Sequence, residues 1–413
     1  MSKLEELIKE FCPNGVDYVK IKDVFTRLKG TSITAGKMKE IETSNGEIKI
    51  FAGGKTVINA NESDIPNANI TRVPAVLVQS RGVIDFIYYD QPFTFKNEMW
   101  AYTAKNIITV KYLYYVLKNN VQYFRESASG MGALPQISLG VTEDFIVPLP
   151  ALPVQREIVR ILDSFTLYSA ELTAELTARR KQYEFYRDKL LNFNQQEVEI
   201  KKLSDIFDTR NGYTPFTSNK EYWATNDIPW FRVEDIRANG RILNDSIQHV
   251  SFSAIKGKVF PANSIIISTS ATIGEHALIT CESIANQRFT YLMLKDQYKN
   301  KYNIKYLFYY CFLLADFCRE NLQQGGFASV DMSKFNKFEF SIPPMEVQER
   351  IVKVLDNFDA ICSDLGIGLP AEIEKRQKQY EYYREKLLTF DMKSETILRQ
   401  TDRQTDRQTD RAD

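Results

Sequence analysis

Apolar and polar positions follow two rhythms along this chain. One steps by threes and fours, through Phe165, Tyr168, Leu172, Leu176, Arg179, Tyr183, Tyr186, Leu190 and Phe193. The same stepping returns through Phe358, Ile361, Leu365, Leu369, Ile373, Arg376, Tyr380, Tyr383, Leu387 and Phe390. Such spacing lays a narrow apolar seam along a helix, and a seam that narrow needs a partner helix. The other rhythm consists of short β-branched and aromatic runs. VPAVLVQS (73–80) and VIDFIYYD (83–90) read as strands around a turn at Arg81–Gly82, and residues 263–280 read likewise.

The two seams belong to a longer internal repeat, the first thing to seek in any chain. VQREIVRILDSF (154–165) returns as VQERIVKVLDNF (347–358), and RRKQYEFYRDKLLNF (179–193) returns as KRQKQYEYYREKLLTF (375–390). Upstream, DFIVPLP matches FEFSIPP, VKYLYYVLK (110–118) matches IKYLFYYCF (304–312), and KIKDVF (20–25) matches KLSDIF (202–207). One plan is executed twice: a variable body, then a well-matched helical segment. The pattern divides the chain into a first body (1–153), a central helical region (154–193), a second body (194–346), a C-terminal helical region (347–390) and a tail (391–413).

The simplest cover for each seam is the other copy, with a pseudo-twofold axis setting the helices antiparallel. The interface residues are then Leu172, Leu176, Tyr183, Tyr186 and Leu190 against Leu369, Ile373, Tyr380, Tyr383 and Leu387. The alternative is that each seam packs on its own body. Seventeen residues separate Phe165 from Tyr183, whereas twenty-one separate Phe358 from Tyr380. The extra four fall near Gly366–Ile367–Gly368–Leu369–Pro370, which should break the helix. The first copy instead carries AELTAELTA, a doubled tetrapeptide, and four residues are close to one helical turn, roughly 6 Å. The expected fold class is α+β: two mixed globular domains joined by two long antiparallel helices.

Composition changes this picture little. The 413 residues exceed one ordinary core, and 53 basic residues balance 53 acidic ones. Any phosphate-facing charge must therefore be local. The five cysteines lack metal-like spacing and read as buried free thiols of a reducing compartment. The charged, amphipathic start is no signal peptide, and no apolar run is long enough for a membrane span, so a cytoplasmic protein is expected.

Catalytic chemistry leaves no trace. GGKT (53–56) ends like a phosphate-binding loop, but Lys49 stands where the motif needs its first glycine. The tetrapeptide of amino-methyltransferases is absent, and the two histidines, His249 and His276, lie in no metal-like cluster. No catalytic residue, metal or cofactor is assigned. The loops are rich in Asn, Gln, Ser, Thr, Arg and Lys, including two with glycines (127–138 and 323–333). That chemistry suits base edges and phosphates, and equally any solvated loop.

The repeated segments LPALPVQREIVRILDSF and SIPPMEVQERIVKVLDNF, each followed by a tyrosine-rich helix ending in KLLNF or KLLTF, resemble the specificity subunit of type I restriction–modification enzymes. So do the opening LEELIKEFCPNGVDYVKIKDVF and the run GYTPFTSNKEYW with DIPWFRVEDI. In the first body TSITAGKMKE departs from the GYTP pattern. The AELTAELTA element is similar to the repeats that set half-site spacing in this family. The resemblance implies a scaffold that reads double-stranded DNA at two unlike half-sites. It would bind two modification subunits, which carry S-adenosylmethionine and methylate adenine N6, and restriction subunits would join. Matching the bodies places candidate DNA readers at Lys55, Gln79, Ser80, Arg81, Asn97 and Gln136, and at Tyr213, Thr214, Arg232, Ser270, Thr272, Gln287 and Arg288. Competing readings are a coiled-coil scaffold that binds protein rather than DNA, and a fused methyltransferase.

The tail TDRQTDRQTDRAD (401–413) is polar and of low complexity. A tandem ACAG tract would encode Thr-Asp-Arg-Gln, so a slippage-prone gene is one reading and a tetrapeptide linker with mixed codons the other. Sequencing the coding DNA separates them.

Overall fold

The structure is a computed structural model that describes residues 2–129, 134–193, 198–323, 328–363 and 366–391. The centres of both glycine loops, Leu365 and the Thr-Asp-Arg-Gln tail lie outside the described residues. The chain divides into two units. One draws on Met1–Ala170 and Arg376–Asp413, the other on Glu171–Lys375.

In the first unit a four-stranded antiparallel sheet runs in the order Thr26–Leu28, Trp100–Thr103, Ala75–Gln79, Asp85–Tyr89. A smaller sheet sets Ile48–Phe51 between Val57–Ala60 (antiparallel) and Phe93–Phe95 (parallel). The strand Ala75–Gln79 is buried throughout because both faces are covered. Val76 and Val78 face the core under the helix Ile107–Asn119, while Ala75 and Leu77 face Phe51, Phe93 and Phe95. This is the period of two expected of a strand between two layers. Asn106 starts the helix by accepting from the backbone N–H of Ile108 at 2.9 Å.

The second unit repeats the scheme. Its larger sheet runs Phe207–Asn211, Phe289–Leu294, Ser264–Ser268, His276–Ile279, Ile242–Leu243, the last strand being an addition. Ile228–Phe231 pairs in parallel with Ile284–Ala285, as Ile48–Phe51 does with Phe93–Phe95. Along Ser264–Ser268, Ile265 and Ile267 face one core and Ile266 the other. The helix Ile304–Glu320 is capped by Asn303, as Asn106 caps its counterpart.

Each body ends in a two-stranded ribbon, Asp17–Lys20 with Ile146–Leu149 and Glu199–Lys202 with Glu339–Ile342. The helical segment follows at once. Leu152–Leu191 is one helix, with Pro153 in its first turn where no N–H partner is needed. The second segment is broken as expected: one helix is Met345–Ser363 and the next Leu369–Leu387.

The repeated motif has the same task in each unit. Val154, Ile158 and Leu162 enter the first core; Ile351, Val352 and Leu355 enter the second. The buried side-chain amides of Gln155 and Gln348 donate to the carbonyls of Pro150 (2.7 Å) and Pro343 (2.8 Å), securing each helix entry. Asp163 accepts from Lys111 (2.8 Å) and from the Tyr115 hydroxyl (2.5 Å). Asp356 does the same with Lys305 (2.8 Å) and Tyr309 (2.7 Å).

Within each unit the seam of one copy meets the other at aromatic positions. In the first unit Phe165 meets Tyr380 and Tyr383, with centroids 6.2 and 5.7 Å apart. In the second, Phe358 meets Tyr183 and Tyr186 at 6.1 and 5.9 Å. Leu162 lies in the first core at the start of one helix and Leu388 in the same core at the end of the other, so the two segments run in opposite directions. Leu387 packs at the edge of that core; Leu176 and Leu190 pack likewise on the second core, which buries Tyr183 and Leu191. Leu172, Leu369 and Ile373 are half-buried, while Tyr168 is 63% exposed. Tyr186 and Tyr383 keep one ring face on a partner phenylalanine although each is 39% exposed.

Candidate nucleic-acid interface

In the first body one loop cluster gathers the sequence-derived candidates. The hairpin tip carrying Lys55 follows Ile48–Phe51, the Gln79–Ser80–Arg81 turn follows Ala75–Gln79, and Asn97 precedes Trp100–Thr103. Their backbones are bonded together. The Gln79 side-chain amide donates to the Gly54 carbonyl, and Ser80 Oγ donates to the Glu98 carbonyl at 2.5 Å. Ile137 N–H donates to the Ser80 carbonyl at 2.9 Å, and Arg81 bridges Gln136. Gln79 and Ser80 are 6% and 1% exposed, and their side chains tie the loops together. Lys55, Arg81, Asn97 and Gln136 are exposed.

In the second body Tyr213 also acts as a support. Its hydroxyl accepts from Lys256 N–H (2.8 Å), its carbonyl accepts from the Trp230 indole (3.2 Å), and its ring packs on the core. Thr214 Oγ1 donates to Gln287 Oε1 at 2.5 Å. The Arg232 guanidinium lies 5.3 Å from the Trp230 ring centre, and its Nε is buried with no hydrogen-bond partner among the described residues. Ser270 and Thr272 are half-buried; the Ser270 carbonyl accepts from Ser268 Oγ at 2.9 Å, and Thr272 Oγ1 lies 3.4 Å from the same hydroxyl. Gln287 and Arg288 are exposed.

Strand register aligns the two clusters residue by residue. Val78 pairs with Trp100, as Ile267 pairs with Thr290. Ser80 therefore corresponds to Thr269, Arg81 to Ser270 and Gly82 to Ala271. The last two share the left-handed region, at φ 77° and 62°. Arg81 bridges Gln136 as Ser270 bridges Ser329. Met99 N–H donates to the Lys96 carbonyl (2.9 Å) as Phe289 N–H donates to Asn286 (3.1 Å). Asn97 thus matches Gln287, and Glu98 matches Arg288.

Register also resolves the departure from GYTP. Gly30 and Gly212 hold one position: a Cβ on either would fall 2.6 Å from the Phe95 carbonyl oxygen or 2.3 Å from that of Ala285. Gly30–Thr31–Ser32 is thus the first body's version of Gly212–Tyr213–Thr214.

Sequence matching missed Glu98, whose carboxylate lies 3.0 Å from the Lys96 ammonium. It also missed a polar cleft of about 510 Å³ in the first body, lined by Lys29, Ser32, Asn67 and Asn97 among others.

Among the described residues, no group of three or more His, Cys, Asp or Glu could hold a metal. His276 is fully buried, and burial holds its imidazole down at about 3. The cysteines are free; Cys12, Cys311, Cys318 and Cys362 are buried, and burial pushes the Cys318 thiol up to about 12. No helix among the described residues is long and apolar enough to cross a membrane.

The family model described as "Type I restriction modification DNA specificity domain" fits residues 13–179 and again 195–375. The chain is 53% identical over 202 residues to the type I restriction enzyme EcoprrI specificity subunit of Escherichia coli, a match covering 47% of this chain and half (50%) of that relative. It is 38% identical over 307 residues to the EcoR124I/EcoR124II specificity subunit of Escherichia coli, covering 71% of this chain and 73% of that one. A solved type I restriction–modification S subunit from M. genitalium shares the fold, with a TM-score of 0.59 at 14% identity over 91% of this chain and 97% of the other. The chain belongs to the type I restriction–modification DNA specificity family.

Proposed function

We propose that this chain is the DNA-reading subunit of a type I restriction–modification complex, with one half-site read by each body. The observation that carries this reading is the pair of exposed loop clusters. They share one backbone frame, yet present Lys55, Arg81, Asn97 and Gln136 in one unit and Gln287 and Arg288 in the other. A shared frame with unlike side chains is what reading two unlike base sequences requires. Gln79, Ser80, Tyr213, Thr214, Ser270 and Thr272 support those loops, and Arg232 is held against Trp230.

The helical regions, 154–193 and 347–390, serve as spacer and as platform for two modification subunits, with restriction subunits joining the same assembly. The bodies, 1–153 and 194–346, are the target recognition domains, and the protein works in the cytoplasm. Methyl transfer to adenine N6 belongs to the modification subunits, which receive the base flipped out of the duplex. A protein-only scaffold is the less favoured reading, since it gives no reason for two frames with diverged exposed residues.

Mapping adenine methylation in cells with and without the gene tests the proposal. Loss of one two-part motif supports it. An unchanged methylome in cells whose modification subunits are active overturns it.

A further inference from the structure

The two loop clusters can be compared station by station, and the comparison shows an exchange. At the turn after the central strand the first body has Arg81 and the second Ser270. At the neighbouring turn the first body has Glu98 and the second Arg288. The two turns touch in both bodies. Ser80 Oγ donates to the Glu98 carbonyl at 2.5 Å, and Thr269 N–H donates to the Arg288 carbonyl at 2.9 Å. Each body thus carries one exposed arginine at this joint, on opposite sides of it.

Neither arginine has an ion-pair partner among the described residues. A guanidinium carried on a hydrogen-bonded turn suits the paired acceptors O6 and N7 of guanine. Glu98 differs. Its carboxylate is 3.0 Å from Lys96 Nζ, and the two side chains are only 29% and 23% exposed. The lysine offsets repulsion between a carboxylate and a phosphate backbone, and leaves the second carboxylate oxygen able to accept from a cytosine amino group.

Resting on the DNA-reading function above, we propose that Arg81 and Arg288 are the guanine readers of the two bodies. They occupy different stations of one frame, so guanine falls at a different step in each half-site. Glu98, at the Arg288 station of the first body, selects cytosine and rejects guanine there.

The test is selection of the full chain against a randomised duplex pool, for the wild type, Arg81→Ala, Arg288→Ala, Glu98→Gln and the paired change Arg81→Ser with Glu98→Arg. Each single variant should relax one base pair of one half-site by roughly 5- to 150-fold, the equivalent of about 1–3 kcal/mol. Arg81→Ala and Glu98→Gln should act on one half-site and Arg288→Ala on the other. The unaltered half-site in each variant reports that the chain is folded. The paired change should move the guanine preference to the neighbouring step. If the wild type selects no two-part motif, the DNA-reading proposal itself falls. If it selects one and the arginine variants weaken binding evenly at every position, DNA reading stands and this inference is overturned. The same holds if Glu98→Gln leaves every position unchanged.

Discussion

The ring of Phe165 stacks on that of Tyr383 with centroids 5.7 Å apart and planes 28° apart, within one unit. The repeat places Phe358 on Tyr186 in the other unit at 5.9 Å and 25°. The same sequence motif therefore closes two contacts, each joining a residue of one copy to a residue of the other. Replacing Phe165 by Ala should destabilise its unit by about 1–3 kcal/mol. A double-mutant cycle with Tyr383→Ala should show a coupling of about 0.5–1.5 kcal/mol. Chemical denaturation measures both, and a coupling near zero would remove the stack from the account.

Asp163 and Asp356 hold equivalent lysine–tyrosine pairs against each helical segment. Burial, and then the Asp163 carboxylate, push the Tyr115 hydroxyl far above its ordinary range, so it stays a donor at any physiological pH. Asp163→Ala would leave the Tyr115 hydroxyl and Lys111 without their acceptor. A loss of about 1–3 kcal/mol is expected, read from the denaturation midpoint. Tyr115→Phe should recover part of that loss in the double variant, because it removes the stranded hydroxyl.

Buried His276 should make the second unit acid-sensitive. Its Nδ1 lies 3.0 Å from the Gly274 carbonyl, its Nε2 has no partner among the described residues, and Phe308 and Phe312 pack beside it. Burial first, and then the nearby Arg241 charge, lower its folded value from 6.5 to about 3. The unfolded chain takes up a proton below 6.5 and the folded chain does not. The full contribution is thus present above 6.5 and is lost as pH falls from there toward about 3, at up to roughly 1.4 kcal/mol per pH unit. His276→Phe should flatten that part of the stability–pH curve, as thermal unfolding across the range will show.

The spacer reading concerns Ala170–Ala178, which lies inside the continuous helix Leu152–Leu191. One more Ala-Glu-Leu-Thr unit adds about 6 Å of helix. The gap between half-sites selected from a random duplex pool should grow by one or two base pairs, with both half-site sequences unchanged. A changed half-site sequence would contradict a pure spacer.

Much of this was legible beforehand because it rests on local periodicity. Val154 and Val347, Asp163 and Asp356, and Phe165 and Phe358 occupy one pattern, and identical residues at identical spacing must make similar contacts. What periodicity cannot show is which core claims a residue. The seam points to Leu190 and Leu387, yet the buried residues are their neighbours Leu191 and Leu388. Nor does spacing show that the last helix returns to the first body, where the Tyr18 hydroxyl donates to the Phe390 carbonyl at 2.7 Å. The reading loops were the least legible. Arg81 corresponds to Ser270 and Glu98 to Arg288 only through strand register, because side-chain identity has diverged where the backbone has not.

The proposed function requires that two unlike readers act jointly on one duplex. Its most direct measurement is the affinity of the full chain for duplexes carrying both selected half-sites, either half-site alone, or both with the gap changed by about half a helical turn. Tight binding is expected only for the intact pair at its native gap, since the second contact is then intramolecular. Equal affinity for a single half-site, or indifference to the gap, would contradict it.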